Sequence, residues 1–161
     1  MKNRLFGNVP NVSEGQHFNT RLELSYSRVH RPPRAGVSGS QTEGADSIIL
    51  SGGYEDDKDF GDVILYAGHG GRNQKSKKQA AHQDLNPQNL ALIKNYELKL
   101  PIRVVRGAAL RSPFTPDTGY RYDGLFYVEA YWKERGKSGF NVYVFKLVKR
   151  FNKSFVEKNS S

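Results

Sequence analysis

Short runs of β-branched, aromatic and aliphatic residues, each bounded by Gly, Ser, Asp or Pro, constrain the fold of this chain more than any other feature. In residues 18–24 apolar side chains alternate with polar ones, which is the period of a half-buried strand. Similar runs follow at residues 47–50, 62–66, 102–106, 125–132 and 140–148. Strands of this number and length predict a curved sheet or a barrel.

Helical signals are few and local. Asn86 followed by Pro87 is typical of an N-cap with proline at the first helical position, and apolar residues continue the pattern up to Asn95. A second short helix is predicted over residues 78–84. Residues 151–161 are polar, so we expect a tail or the start of a linker after a single domain at residues 1–150.

The composition narrows the class of protein. A chain of 161 residues with 37% hydrophobic residues fits one globular domain with a single sizeable core. It contains no cysteine, which excludes disulfides, thiolate nucleophiles and cysteine-based zinc sites. No apolar run approaches the roughly 18 residues of a membrane span, and no cofactor motif is present. We expect a protein without a membrane partner, in the cytoplasm or nucleoid, or in the nucleus of a eukaryote.

The excess of basic residues points to a polyanionic partner. The net charge is +9, and Lys and Arg that neutralise phosphates release condensed counterions. The basic residues form two clusters in loop-like sequence. The first surrounds Pro32 and Pro33 and contains Arg28, Arg31 and Arg34; the second contains Arg72, Lys75, Lys77 and Lys78.

Two tyrosines border glycine-rich backbone that a flat ligand can approach closely. Tyr54 follows Gly52 and Gly53, and Tyr66 precedes the glycines of residues 68–71. Two such rings can sandwich a base. Between them lies a run of acids, and one carboxylate can accept a hydrogen bond from the exocyclic amino group of cytosine or adenine.

Ordered motifs across residues 6–148 resemble the SRA (SET- and RING-associated, or YDG) domain family. They are Phe6-Gly7 with Val9-Pro10, His30-Arg31-Pro32 with Ala35-Gly36, Gly52-Gly53-Tyr54-Glu55-Asp56-Asp57, Gly68-His69-Gly70-Gly71-Arg72, Arg121-Tyr122-Asp123-Gly124, Tyr131-Trp132 and Ser138-Gly139-Phe140. The resemblance implies an α+β, mainly β fold, a twisted or crescent β-barrel with a few flanking helices. It implies a reader rather than a catalyst, which binds double-stranded DNA and flips a modified cytosine, usually 5-methylcytosine, into a pocket.

The resemblance also assigns residues to this pocket. Tyr54 and Tyr66 match the two rings that sandwich the flipped base, and Asp57 matches the acid on its Watson–Crick edge. Gly52, Gly53 and Ala67 complete the pocket. Ala67 stands where vertebrate members carry a threonine, so one hydroxyl contact is absent and we expect a slightly roomier pocket.

The two basic clusters match the DNA-contacting loops of the family. Arg34, with Pro33 and Arg31, occupies the position of a finger that enters the gap left by the flipped base. Phosphate contacts are expected from the remaining basic residues, which are Arg28, Arg72, Lys75, Lys77 and Lys78. Arg121 and Asp123 of the YDG motif are expected to brace the fold.

The sequence is also compatible with other functions. Tyr54 and Tyr66 are also compatible with plain core aromatics at strand ends. Glu97 and Lys99 have the E-x-K spacing of a metal-dependent nuclease, with Asp84 upstream as a second candidate ligand. The chain could also be a protein-interaction module or the SRA module of a eukaryotic chromatin regulator. The arrangement we favour is the front of a modification-dependent restriction endonuclease, with a nuclease domain beyond Ser161 or on a partner.

Overall fold

The computed structural model describes residues 4–52 and 54–150, and in them one mixed sheet dominates. The strands are β1 (His17–Phe18), β2 (Val37–Ser40), β3 (Gly44–Leu50), β4 (Lys58–Asp59), β5 (Val63–Ala67), β6 (Ile102–Gly107), β7 (Tyr120–Arg135) and β8 (Asn141–Lys149). The helices are α1 (Arg21–Ser27) and α2 (Pro87–Leu98), with one turn of 3-10 helix at Ala108–Leu110. The predicted mainly β fold with flanking helices is confirmed.

The sheet is strongly curled. Its strand order is β2-β3-β6-β7-β8-β5-β4, with β1 beside β7, and every pairing is antiparallel except that of β3 with β6. Although β2 and β5 are far apart in this order, a Cβ at Gly36, just before β2, would lie 3.6 Å from the Tyr66 hydroxyl on β5. Irregular register in β7, between Val128 and Ala130, accompanies the bend. The two arms of the crescent therefore meet near Tyr66.

Both faces of the central strands are buried, which explains their nearly continuous apolar sequence. On β3, Ile48 and Leu50 belong to one core cluster with Leu92 of α2, whereas Ile49 belongs to a second cluster with Leu24 of α1. Side chains alternate between the two faces of a strand, so each helix covers one face of the sheet.

The strand predicted over residues 18–24 is wrong beyond Phe18. Thr20 caps α1 through a reciprocal capping box, in which its side chain accepts from the Glu23 amide and Glu23 accepts from the Thr20 amide. Leu24 is buried while Leu22 is 60% exposed. The alternation in the sequence therefore reflects a helix with one buried position, and the capping signal outweighs the period of two.

The predicted helix over residues 78–84 is also wrong, whereas the prediction at Asn86 is confirmed. Residues 78–84 are irregular, with Gln79 bridged to Arg72, because the Gln79 and Gln83 amides bond loop carbonyls instead of facing solvent on a helix. The Asn86 side chain accepts from the Asn89 amide at 2.9 Å and caps α2. This helix continues past Asn95 to Leu98. The tail at 151–161 lies outside the described residues.

Buried ion pairs join the YDG segment to the strands around it. Arg106 on β6 donates to Asp59 at 2.8 Å and to Asp123 at 2.9 Å, and also to the Gly61 carbonyl at 2.6 Å. Arg121 donates to Asp123 as well. Asp123 and Arg121 thus brace the fold, as predicted, and Arg106 is the centre of this network.

Replacing Arg106 should strongly destabilise the fold. Arg106→Ala leaves Asp59 buried without its cation, and breaking a buried pair in this way costs about 3–5 kcal/mol. The control is Lys94→Ala, which removes a more exposed pair with Glu97 and should cost less than about 1 kcal/mol. Urea unfolding measures both free energies, and equal losses would show that the Arg106 network does not hold the fold.

Candidate nucleic-acid interface

The first wall of the candidate pocket lies at the end of β5. There Tyr66 pairs with Phe145 of β8 and Ala67 with Val144, so neighbouring strands hold both residues. Tyr66 is 3% exposed, and its hydroxyl lies 3.0 Å from His69 Nε2. Burial raises the pKa of Tyr66 above its ordinary value, and the ring remains a neutral phenol.

A turn carries Asp57 to this strand end. The Asp57 amide donates to the Tyr54 carbonyl at 3.2 Å, and Asp57 Oδ1 accepts from the Ala67 amide at 2.7 Å. Gly52 introduces the turn with φ +82°, and a Cβ there would lie 2.4 Å from Leu110 Cα, so only glycine fits. Gly53, the other predicted pocket glycine, lies outside the described residues.

The remaining acids of this run have structural partners. Glu55 accepts from the Ser138 hydroxyl, and Asp56 accepts from the Lys137 amide at 2.9 Å. Both partners belong to the turn between β7 and β8, which therefore fastens the loop that carries Tyr54. Asp59 is occupied by Arg106. Asp57 is thus the acid of the run that faces the Tyr66 strand.

Four side-chain amides hold the loop that follows β5, and sequence analysis did not assign them this role. Gln83 donates to the Gly68 carbonyl at 2.7 Å, and Gln79 to the Gly70 carbonyl at 2.7 Å. The His69 carbonyl accepts from Asn86 and Asn89. The only signal in the sequence was the richness of this segment in Asn and Gln, which alone does not identify a partner.

Arg72 lies against the pocket residues as well as on the basic surface. Its guanidinium carbon is 3.9 Å from the centroid of the Tyr54 ring, and its Nη2 donates to the Gly68 carbonyl at 2.7 Å. Lys77 Nζ lies 5.7 Å from the same centroid. Tyr54, His69, Arg72 and Lys77 border a cavity of about 180 Å³. Two cationic side chains therefore lie close to the Tyr54 ring.

Burial controls the charges in this region. It raises the pKa of Asp57 to about 6, against the opposing effects of the Ala67 amide and Arg72. Burial, together with the nearby charge of Arg72, lowers the pKa of His69 to about 4. At neutral pH the site therefore holds a carboxylate at Asp57 and a neutral imidazole at His69.

The predicted DNA-contacting residues occupy different environments. Pro33 and Arg34 are exposed, whereas Arg31 is half-buried and pairs with Asp46 at 3.3 Å. Arg28 is exposed at the C-terminal end of α1. Lys75, Lys77 and Lys78 are all exposed in the turn that follows Arg72.

The residues of the alternative nuclease site have other contacts. Glu97 pairs with Lys94 on α2, and Lys99 ends that helix in a left-handed conformation. Among residues 4–52 and 54–150, no group of three His, Asp or Glu side chains could hold a metal ion. No helix in the same part of the chain is long and apolar enough to cross a membrane.

The fold and the site define a β-rich domain in which Asp57, fixed to the end of β5, lies among aromatic residues and next to exposed basic loops. The family model described as the SAD/SRA domain matches residues 5–153. The chain therefore belongs to the SAD/SRA family.

Relatives occur in proteins of several kinds. A UHRF1-like protein of Cryptococcus neoformans is 44% identical over 144 residues, which cover 83% of this chain and 42% of the relative. The modification-dependent TagI restriction endonuclease superposes with a TM-score of 0.87 and 42% identity, over 94% of this chain and 54% of that one. The SUVH5 SRA domain, crystallised with hemimethylated CG DNA, superposes with a TM-score of 0.77 and 38% identity, over 92% and 95% of the two chains.

The pKa of Asp57 generates a prediction about stability. Because its folded pKa of about 6 lies above the ordinary 3.8, the folded protein binds more protons between these values and loses stability as pH rises through them. Asp57→Asn should therefore be more stable than the wild type at pH 7, and the difference should shrink as the pH falls to about 4. Urea unfolding from pH 4 to 8 measures this difference.

The matched control is the exposed Asp62→Asn, which should stay within about 0.5 kcal/mol of wild type at each pH. The wild type and Asp57→Asn both keep His69, so the titration of His69 cancels when their free energies of unfolding are subtracted. A stability difference that grows toward pH 4 would contradict the burial of a charged Asp57.

Proposed function

We propose that residues 1–150 form a reader that binds duplex DNA and accommodates a flipped modified cytosine, with 5-methylcytosine as the expected base. The observation that carries this proposal is the half-buried Asp57, whose carboxylate the Ala67 amide fixes at the end of the strand that carries Tyr66, three residues after Tyr54. The SRA relative solved with hemimethylated CG DNA supports the choice of ligand.

The aromatic residues provide energy of the right size. Extrusion of a base costs a few kcal/mol of stacking and pairing, and stacking on an aromatic side chain contributes roughly 1–3 kcal/mol per base. Tyr66 is held rigidly by burial and by its contact with His69, so little side-chain entropy remains to be lost on binding. Tyr54, half-buried in the neighbouring turn, is the second ring.

Asp57 gives the pocket its preference for a base with an exocyclic amino group, as cytosine has and thymine lacks. Its Oδ1 is engaged with the Ala67 amide, and Oδ2 has no hydrogen-bond partner within residues 4–52 and 54–150. This oxygen accepts from the exocyclic amino group of cytosine. A base that offers no donor there leaves a buried carboxylate oxygen unpaired, which is heavily penalised.

The methyl group adds a smaller discrimination. Burying one apolar carbon contributes about 0.8 kcal/mol, or roughly fourfold in affinity, and a snug niche adds to this. Ala67 is 1% exposed, and it places a methyl group at the position where vertebrate members of the family carry a threonine hydroxyl. The pocket therefore discriminates cytosine from thymine more sharply than it discriminates among modifications at C5.

The exposed basic residues bind the rest of the duplex. We assign Arg34 and Pro33 to the gap left by the flipped base, with Arg31 bracing the loop through Asp46. Arg28, Lys75, Lys77 and Lys78 are assigned to phosphates because they are exposed. Arg72 is assigned to the backbone of the flipped nucleotide, next to Tyr54.

The whole protein that uses this reader is proposed to be a modification-dependent restriction endonuclease. The similarity to TagI supports this choice, and its 54% coverage leaves room for a nuclease domain there. The alternative is a chromatin regulator, which the UHRF1-like relative supports. In either case the chain described is the recognition module, with a nuclease or another effector as partner.

The proposal predicts a specific pattern of binding. In otherwise identical duplexes with cytosine, 5-methylcytosine, 5-hydroxymethylcytosine and glucosylated cytosine, fully and half modified, the methylated duplex should bind several-fold more tightly than the unmodified one. Asp57→Ala, Tyr54→Ala and Tyr66→Ala should abolish this preference while retaining salt-sensitive background binding. Fluorescence anisotropy at fixed salt measures each affinity.

Tyr26→Ala is the control, because Tyr26 is 79% exposed on α1 and is assigned no role in binding. It should keep the preference of the wild type. Equal affinity of the wild type for methylated and unmodified duplexes would refute the proposed function. A preference that survives in Asp57→Ala and in Tyr54→Ala, both checked for folding by circular dichroism, would show that the pocket lies elsewhere.

A further inference from the structure

The finger loop, defined as residues 31–36, is bonded to the body of the protein through its own carbonyl groups. The Arg31 carbonyl accepts from the Ser25 hydroxyl at 2.9 Å, and the Gly36 carbonyl accepts from the Ile49 amide at 2.8 Å. The carbonyls of Pro32, Arg34 and Ala35 also accept side-chain donors. A loop held at so many backbone groups is ordered before it meets any ligand.

Arg21 at the start of α1 provides most of these bonds. Its Nη2 donates to the Pro32 and Ala35 carbonyls, each at 2.8 Å, and its Nη1 donates to the Arg34 carbonyl at 3.3 Å. In the described part of the chain Arg21 forms no ion pair with a carboxylate, and burial lowers its pKa. Its guanidinium is thus committed to three carbonyls, a forked geometry that a lysine cannot reproduce.

His30 supports the same loop from the other side. It is fully buried, and burial lowers its pKa to about 4, so the ring is neutral at pH 7. Its Nε2 donates to the Ala35 carbonyl at 2.8 Å, which leaves Nδ1 to accept from the Ser47 hydroxyl at 2.7 Å. The Ala35 carbonyl is therefore held by two donors, one from α1 and one from the residue just before the finger loop.

The held loop presents residues 33–35 to solvent, and its last residue lies beside the pocket residues. Pro33 and Arg34 are exposed, and the Arg34 side chain has no hydrogen-bond partner among residues 4–52 and 54–150. At the other end of the loop, a Cβ on Gly36 would lie 3.5 Å from His69 and 3.6 Å from the Tyr66 hydroxyl. The finger loop and the pocket are thus neighbours in one rigid region.

We propose that Arg21 is a positioning residue that preorganises the finger loop so that Arg34 enters the gap left by a flipped base. This inference rests on the proposed function and extends it to a residue that contacts no base. A loop already fixed in its bound shape loses less conformational entropy on insertion, and that saving appears directly in affinity. A phosphate contact at Arg21 is the competing explanation.

Binding measurements on Arg21→Gln and Arg21→Lys separate the two roles. A positioning role predicts that both variants lose about five- to tenfold in affinity for the 5-methylcytosine duplex, with no change for the unmodified duplex or in the salt dependence. The double variant Arg21→Gln/Arg34→Ala should bind no more weakly than Arg34→Ala alone, because Arg21 acts through that loop.

Arg28→Gln is the contrasting variant, since it removes a nearby exposed charge assigned to phosphate. It should weaken binding to both duplexes alike and lower the salt slope by about one. The positioning role would be overturned if Arg21→Gln weakened binding to both duplexes alike and lowered the salt slope, while Arg21→Lys restored the affinity. Additive losses in the double variant would overturn it as well.

Trypsin cleavage of the free protein provides a readout that does not depend on DNA. The Arg34–Ala35 bond is cleavable in a mobile loop, whereas the Arg31 bond is protected by the following proline. Both Arg21 variants should be cleaved at Arg34 much faster than the wild type, and unchanged cleavage would overturn the proposal. If the Arg21 variants are cleaved faster but the wild type shows no preference for modified DNA, Arg21 does hold the finger loop and the proposed function is refuted.

Discussion

The hydrogen bond from the Ala67 amide to the Asp57 carboxylate is the contact on which the rest of the site depends. It spans 2.7 Å and joins the turn after Gly52 to the end of β5. Tyr54 lies in this turn and Tyr66 on β5, and the bond holds the two segments together. With it, a buried acid and two rings share one region, and the cost of burying the carboxylate appears as its raised pKa.

The surroundings of that bond consist largely of polar side chains that satisfy loop backbone. The turn between β7 and β8 fastens Glu55 and Asp56, amides from the segment before α2 hold residues 68–71, and Arg21 holds the finger loop. Loops fixed in this way can approach a ligand without first paying for their own ordering. The curl of the sheet brings all three loops to the place where its arms meet.

The sequence predicted most strands and the start of α2, because period-two runs and an Asn-Pro cap are local signals. It mistook α1 for a strand, since Leu22 and Leu24 alternate with polar residues while the deciding capping box involves Thr20 and Glu23. The family resemblance supplied Tyr54, Asp57 and Tyr66. It did not identify Arg21 or Gln83, because both donate to backbone carbonyls, which every residue has and which no sequence pattern distinguishes.

We propose that the pocket receives a base taken out of the duplex. The most direct test uses a duplex with 2-aminopurine immediately 3′ to 5-methylcytosine, because the fluorescence of 2-aminopurine rises when its stacked neighbour leaves. At saturating wild-type protein we expect a clear rise with the methylated duplex and a much smaller one with the unmodified duplex. Saturated binding of the methylated duplex without any rise would contradict this account.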